Sequence, residues 1–446
     1  MSDYMFMLES HLSSDQNRVL AEVQEAAAGA NLSVFVTGGA MRDMLGGFPI
    51  GGLDFTVEGD AVKFASALAS KTKAAVVEKD TVRNTAVLLF PGGVTAQIGM
   101  ARREWYPKPG GKPQVTPVTI HEDLRHRDFT VNAIGLSLNR ASRGLLIDPT
   151  NGLGDLERKE LRTAYNYALY DDPTRIIRLV RLRARLGFAV EEKTQLQYQN
   201  ARAEGLVAKI PPRRLFDELR HIAEDPNAVE VIRALDQEGL MQAFSPALTG
   251  PKLNLPGLAK LQKARQAIQP GVNLPADNVA LLMFFLAEKL TPKERAALAK
   301  HLSMHKAEIE AWQKLEQRAR KLERDLKSPK LNRPSAVYAA ASKAPGEAVI
   351  FLLAYSQVRV VQDRVRNYVS KYLPVAQEVT DEQVAATGAK PGTPKFEKTR
   401  ADLIATRLNA RPKKPAPEAE KPAEEPEAPA GPAPLRRPYT RQPSAR

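Results

Sequence analysis

Two glycines, an arginine and an acid lie close together near the start of the chain. Gly38 and Gly39 end the β-branched run Val34-Phe-Val-Thr, Arg42 follows within a helix-forming segment, and Asp54 stands in Leu53-Asp-Phe-Thr-Val57. Glycine reaches backbone angles closed to other residues, so main-chain N–H groups at such a turn can approach an anion, and a helix N-terminus with an arginine adds positive potential. The chemistry expected is therefore the cradling of a phosphate. Ordinary turns also use Gly-Gly. What singles out this one is the acid on the next strand, where a metal holding that phosphate would need an oxygen ligand.

A second group lies downstream. Asp171-Asp-Pro-Thr-Arg175 has the form of a helix start, with acids at the positive end of the dipole and Pro173 in the first turn. At about 100° per residue, Arg175, Arg178, Arg181 and Arg185 share one side of the following helix, opposite Ile177, Leu179, Val180, Leu182 and Leu186. A solvated charged face is the plain reading; exposed faces more often mix signs, and this one does not. His301 and His305 stand four apart on another expected helix and could share a metal. The glutamate of the hydrolytic zinc motif is missing between them, so an exposed face is the better expectation. Serine hydrolase and dinucleotide-binding patterns are absent.

The elements that must position these residues follow from length and pattern. With 446 residues, 43% of them hydrophobic, the chain can bury cores for about two or three domains. A net charge of +14 favours a polyanionic partner, and since no apolar run reaches membrane-spanning length, nucleic acid is preferred to a membrane. The chain has no cysteine, which excludes disulfides, thiolate zinc sites and cysteine nucleophiles. Its first residues carry acids and no basic stretch ahead of the apolar one, unlike a secretory signal, so the expected location is cytoplasmic.

Residues 14–30 have helical spacing. Short β-rich runs follow, at Val34 to Val36, Asp54 to Val57, Ala75 to Val77, Ala86 to Phe90, Val94 to Ile98 and Val115 to Ile120, with helical stretches between them, so a mixed sheet is expected. The loop Trp105-Tyr-Pro-Lys-Pro-Gly-Gly-Lys-Pro113 is either a mobile basic arm or a plain hairpin. From Tyr167 onward the pattern is helical, with connectors expected over 246–275. After about Glu378 the composition turns to Pro, Ala, Glu and Lys, too poor in large apolar residues to offset ordering entropy. Leu435-Arg-Arg-Pro-Tyr-Thr-Arg441 in that tail is a candidate electrostatic contact for RNA.

Taken together, Gly38-Gly-Ala-Met-Arg-Asp43, Leu53-Asp54, Asp123-Leu-Arg-His-Arg-Asp-Phe-Thr-Val-Asn-Ala133, Asp148-Pro-Thr-Asn-Gly-Leu-Gly-Asp-Leu156, Asp171-Asp-Pro-Thr-Arg175 and Ile210-Pro-Pro-Arg-Arg-Leu-Phe-Asp-Glu-Leu219 resemble, in order and spacing, the class II tRNA nucleotidyltransferase and bacterial poly(A) polymerase family. The likeness covers about residues 31–248. It implies an α+β head with a polymerase-β-like mixed sheet over 31–150, preceded by an N-terminal helix in 1–30. A helical neck over 151–225, an all-α RNA-binding body over 226–375 and a disordered tail over 376–446 complete the expected organisation.

The resemblance further implies template-independent addition of C and/or A to the 3′ end of tRNA or another RNA, with ATP and CTP as substrates and Mg²⁺ as cofactor. By it, Gly38, Gly39 and Arg42 contact the triphosphate, Arg127 and Asp128 lie near the ribose, and Asp172 and Arg175 read the base edge, with Arg178 and Arg181 on the phosphate side. His126 replaces the first arginine of the family's Arg-Arg-Asp motif. Asp54 corresponds to one of three metal carboxylates. The other two positions fall on Gly52 and Gln97, so the implied metal site keeps one acid of three. The alternative expectation is a relative with weak or no catalysis that binds tRNA and nucleotide.

Overall fold

The computed structural model describes residues 3–269 and 271–410. The N-terminal stretch is two helices, α1 (Asp3–His11) and α2 (Ser14–Gly29), where one was expected. The break falls at Ser13, whose hydroxyl accepts from the Gln16 N–H while the Gln16 side chain returns to the Ser13 N–H, a capping box that starts a new helix.

A seven-stranded sheet follows, built from β1 (Ser33–Thr37), β2 (Leu53–Glu58), β3 (Ala75–Asp80), β4 (Thr85–Leu89) and β5 (Thr95–Met100), closed by β8 (Gly135–Ser137) and β9 (Leu146–Ile147) after the hairpin β6 (Arg102–Trp105) and β7 (Gln114–Pro117). Its order is β3-β4-β5-β2-β1-β8-β9, with β2 and β5 parallel and every other pair antiparallel, which is the mixed sheet expected. Side chains alternate across it. Val34, Val36, Leu53, Phe55, Val57, Ala96 and Ile98 face a core shared with α2 and α4 (Ala61–Thr72), while Thr37, Asp54, Thr56 and Gln97 face the other way. On that second side Phe35, Leu124 and Ile147 form a small cluster with α5 (Ile120–Arg125). The run expected to be a strand to Ile120 stops at Pro117, because Thr119 caps α5 through its hydroxyl.

Three helices carry the chain away from the sheet: α3 (Gly38–Leu45) between β1 and β2, then α6 (Gly152–Arg158) and α7 (Ala168–Asp171) beyond β9. The neck is formed by α8 (Thr174–Leu186), α9 (Glu192–Ala203) and α10 (Pro212–Glu224). Leu179, Val180, Leu182 and Leu186 of α8 are buried as the periodicity requires, and Arg175 and Arg181 are buried as well. The arginine side of α8 is therefore an interior surface. One continuous hydrophobic cluster runs from Met5 through the sheet, neck and later helices to Leu373.

Two stretches are more ordered than composition implied. Within the expected connectors of 246–275 a helix runs Leu255–Gln266, capped by Asn254 and anchored by Leu258, Leu261 and Ala264. Within the expected tail, helices Asp381–Ala385 and Pro394–Asn409 pack around Phe396, Val384 and Ile404 on a separate small cluster. A few well-spaced apolar residues suffice there because the cluster leans on Tyr338 of the body. The candidate RNA contact Leu435–Arg441 and the rest of 411–446 lie outside the described residues. Among the described residues no single helix is long and apolar enough to cross a membrane.

Candidate nucleotide site between head and neck

The glycine turn is built as the residue types require. Gly38 has φ +65°, in the left-handed region, and Thr37 before it is extended, so β1 turns sharply into α3. The Gly39 N–H donates to Asp54 Oδ2 at 3.1 Å. A Cβ on Gly38 would sit 3.3 Å from both Asp54 Oδ2 and Arg127 Nη1, and one on Gly39 would sit 3.2 Å from Asp54 Oδ2 and 3.5 Å from Arg42 Nη2. The side chains of Arg42, Asp54 and Arg127 thus converge on one glycine turn. Burial pushes the Asp54 carboxyl above its ordinary range, opposed by Arg127, Arg42 and the N–H groups of Gly39 and Ala40.

Arg42 is buried, donating from Nε to Asp43 Oδ1 (2.9 Å) and from Nη1 to Asn132 Oδ1 (2.7 Å). Asp43 Oδ2 in turn accepts from Arg185 Nη2 of α8 at 2.8 Å, which ties the cradle to the neck. Arg127 reaches over the second side of the sheet, bonding Asp123 Oδ2 from Nε and Nη2 (2.9 and 2.8 Å) and Thr56 Oγ1 from Nη2 (2.8 Å), two residues beyond Asp54. Its Nη1 is left facing the glycine turn, with a long contact of 3.4 Å to the Asn132 carbonyl.

The base-reading candidates lie across the cleft. Asp172 accepts from the Thr174 N–H at Oδ1 and from Arg214 Nη2 at Oδ2, both at 3.1 Å. Burial alone would raise its carboxyl; Arg214, then Arg175, outweigh that and hold it well below the usual carboxylate range. Arg175 Nη1 donates to Tyr165 Oη (2.9 Å) and the Ala168 carbonyl (3.2 Å), while its buried Nε has no partner. Tyr165 donates to Asp171 Oδ2 at 2.9 Å and its ring lies 5.7 Å from that of His126.

Arg178 and Arg181, which the resemblance puts on the phosphate side, are both ion-paired in this structure. Arg178 bridges Asp128 Oδ2 (2.8 Å) and Glu218 Oε1 (2.7 Å), and Arg181 bonds Glu218 Oε2 (3.1 Å), so both are spent on a buried network. Asp128 also accepts from the Phe129 N–H and Asn132 Nδ2 at Oδ1. Glu218, fully buried, would be raised by desolvation, but Arg178 and Arg181 pull it down to about 2. Sequence reasoning did not single out Glu218, Arg214, Asn132 or Tyr165. The first two lie in Ile210–Leu219, whose paired arginines and glutamate were the available signal; Tyr165 had none.

Asp54 and Gln97 are direct partners on the parallel strands β2 and β5, so Gln97 stands beside the acid. Gly52 is exposed, and a Cβ there would meet only the Thr95 carbonyl oxygen, at 3.6 Å. Glu58 is engaged elsewhere, accepting the Ile120 N–H at 2.8 Å. Among the described residues no group of three or more His, Asp or Glu could hold a metal ion, and His301 bonds the Ala243 carbonyl. One carboxylate, already accepting a main-chain N–H and flanked by two guanidinium groups, does not fit a two-metal site.

The Trp105–Pro113 loop is the turn of the β6–β7 hairpin and lies against the neck: Gly110, at φ +67°, is so close to Lys209 that a Cβ would collide with its carbonyl oxygen.

Residues 34–162 match the family described as the poly A polymerase head domain, and residues 187–250 match one described as a probable RNA- and SrmB-binding site of polymerase A. A CC-adding tRNA nucleotidyltransferase of Deinococcus radiodurans is 36% identical over 292 residues, covering 65% of this chain and 75% of that protein. An A-adding tRNA nucleotidyltransferase of Geobacter sulfurreducens is 27% identical over 423 residues, 91% of this chain, and one of Halalkalibacterium halodurans is 34% identical over 266 residues, 59% of it. The chain spans only 47% and 62% of those two relatives. A solved structure of a CCA-adding enzyme in an apo form covers 93% of this chain and 96% of its own, at TM-score 0.51 and 24% identity, a likeness of fold. The chain belongs to the family of tRNA nucleotidyltransferases and bacterial poly(A) polymerases.

Proposed function

We propose that the protein binds CTP or ATP in the cleft between head and neck and acts on the 3′ end of tRNA, adding C and/or A. The observation that carries this is the convergence of Gly38, Gly39, Arg42, Asp54 and Arg127 on one turn, opposite Asp172 and Arg175. The glycine turn and Arg127 Nη1 receive the triphosphate. Asp172 offers acceptors and the Arg175 guanidinium offers donors, a pattern matched to a base edge. His126 and Tyr165 form an aromatic wall beside them. The basic helical body over 226–375 holds the tRNA, and the organisation into head, neck and body follows the boundaries given above.

A second reading, that the chain recognises nucleotide and tRNA with little or no transfer, is favoured by the reduced donor set at Gly52, Asp54 and Gln97. The two are separated by incubating the protein with tRNA lacking its CCA end and labelled CTP or ATP, alongside a Gly52→Asp, Gln97→Glu double variant. Incorporation by the unaltered chain near the variant's rate supports the transferase; labelled tRNA from the variant alone supports the binding protein.

A further inference from the structure

We infer that this chain binds the triphosphate without a divalent cation held by its carboxylates, the guanidinium of Arg127 at the glycine turn taking the cation's place. The inference rests on the nucleotide-binding reading above and concerns what holds the phosphates.

A metal is needed in such a site when several carboxylates face a polyanion, because the cation must bridge groups that otherwise repel. In this cleft that surplus of acid is missing. Asp43 is shared between Arg42 and Arg185, Asp123 is taken by Arg127, and Asp54 accepts the Gly39 N–H under the influence of Arg127 and Arg42. Three arginines thus stand against three acids, and the two positions beside Asp54 where further acids could stand, Gly52 just before β2 and Gln97 on β5, are neutral. The amide of Gln97 lies directly across from Asp54, at the spacing of neighbouring strands, about 5 Å, where a carboxylate would repel it. One donor is in place. Gly38 at φ +65° turns the chain into an eight-residue helix whose Gly39 and Ala40 N–H groups are drawn to Asp54, and Arg127 Nη1, with only a long contact to the Asn132 carbonyl, lies over the same turn. Asp54 then serves as a strut that fixes the turn through Gly39.

Restoring acids tests the idea, because both positions accept a larger or charged side chain: Gly52 has only an ordinary contact at its would-be Cβ, and Gln97 is exposed. ATP and CTP are titrated calorimetrically into the full chain in EDTA and in Mg²⁺, and into the Gly52→Asp, Gln97→Glu variant under the same conditions. The unaltered chain is expected to bind with Kd values within about threefold in the two buffers, and the variant to lose at least tenfold in EDTA and recover in Mg²⁺. Binding by the unaltered chain in Mg²⁺ only overturns the inference and leaves the nucleotide-binding reading intact. No binding in either buffer overturns both.

Discussion

The cleft has two walls, and they treat charge differently. In the neck wall, charges are matched in pairs deep in the protein: Asp128 with Arg178, Arg178 and Arg181 with Glu218, Asp172 with Arg214. In the cradle wall, Arg42, Asp43 and Arg185 form one such chain, but Asp54 is held by a main-chain N–H. Arg175 is its counterpart in the neck, bonded to a phenol and two carbonyls, with no carboxylate in contact. Paired charges build the walls, while Asp54 and Arg175 are the two groups left without an ion pair in contact.

The largest effect should come from breaking a pair. Glu218→Gln removes the charge that holds two arginines and should cost about 3 kcal/mol, read as a fall in Tm. Its pH dependence has a definite sign. Because the Glu218 pKa falls from 4.5 to about 2 on folding, its stabilisation is complete above pH 4.5 and is lost as pH drops toward 2, so the stability of the two proteins should converge in acid. A gap that stays constant down to pH 2 would show that Glu218 is not the charged anchor.

An intermediate effect is expected at the cradle. Gly38→Ala places a side chain at left-handed φ, costing about 1 kcal/mol, and crowds Asp54 and Arg127. Nucleotide binding should weaken about tenfold while the thermal midpoint moves by a few degrees. Unchanged affinity would remove the turn from the binding site.

The smallest overall loss, though the most selective, belongs to the unpaired neck arginine. Arg175→Ala should lower discrimination among the four nucleoside triphosphates by about tenfold, the worth of one charge-assisted hydrogen bond, with little change in triphosphate affinity itself. Equal weakening with all four would place Arg175 on the phosphates and erase the distinction between the walls.

Local signals account for what could be read beforehand. The Gly-Gly turn, the alternation of β2 and the apolar stripe of α8 each depend on neighbours within a few residues, so the sheet, the cradle and the neck helix were legible. The ordered helices at 381–409 were not, because their small cluster depends on contact with Tyr338, far off in the chain. The arginine face of α8 was legible as a face but not as an interior, since the acids that neutralise it, Asp43, Asp128 and Glu218, come from three other segments.

By itself the sequence determined which residue types were available at each position: two glycines able to turn, an acid near the start of β2, glycine and glutamine where further acids could stand, and a helix with arginine on one side. Only the tertiary structure decided which of those charges are spent and which remain. Whether an ion pair forms depends on the distance between side chains carried by different elements, and that distance is fixed by packing of the sheet against the neck.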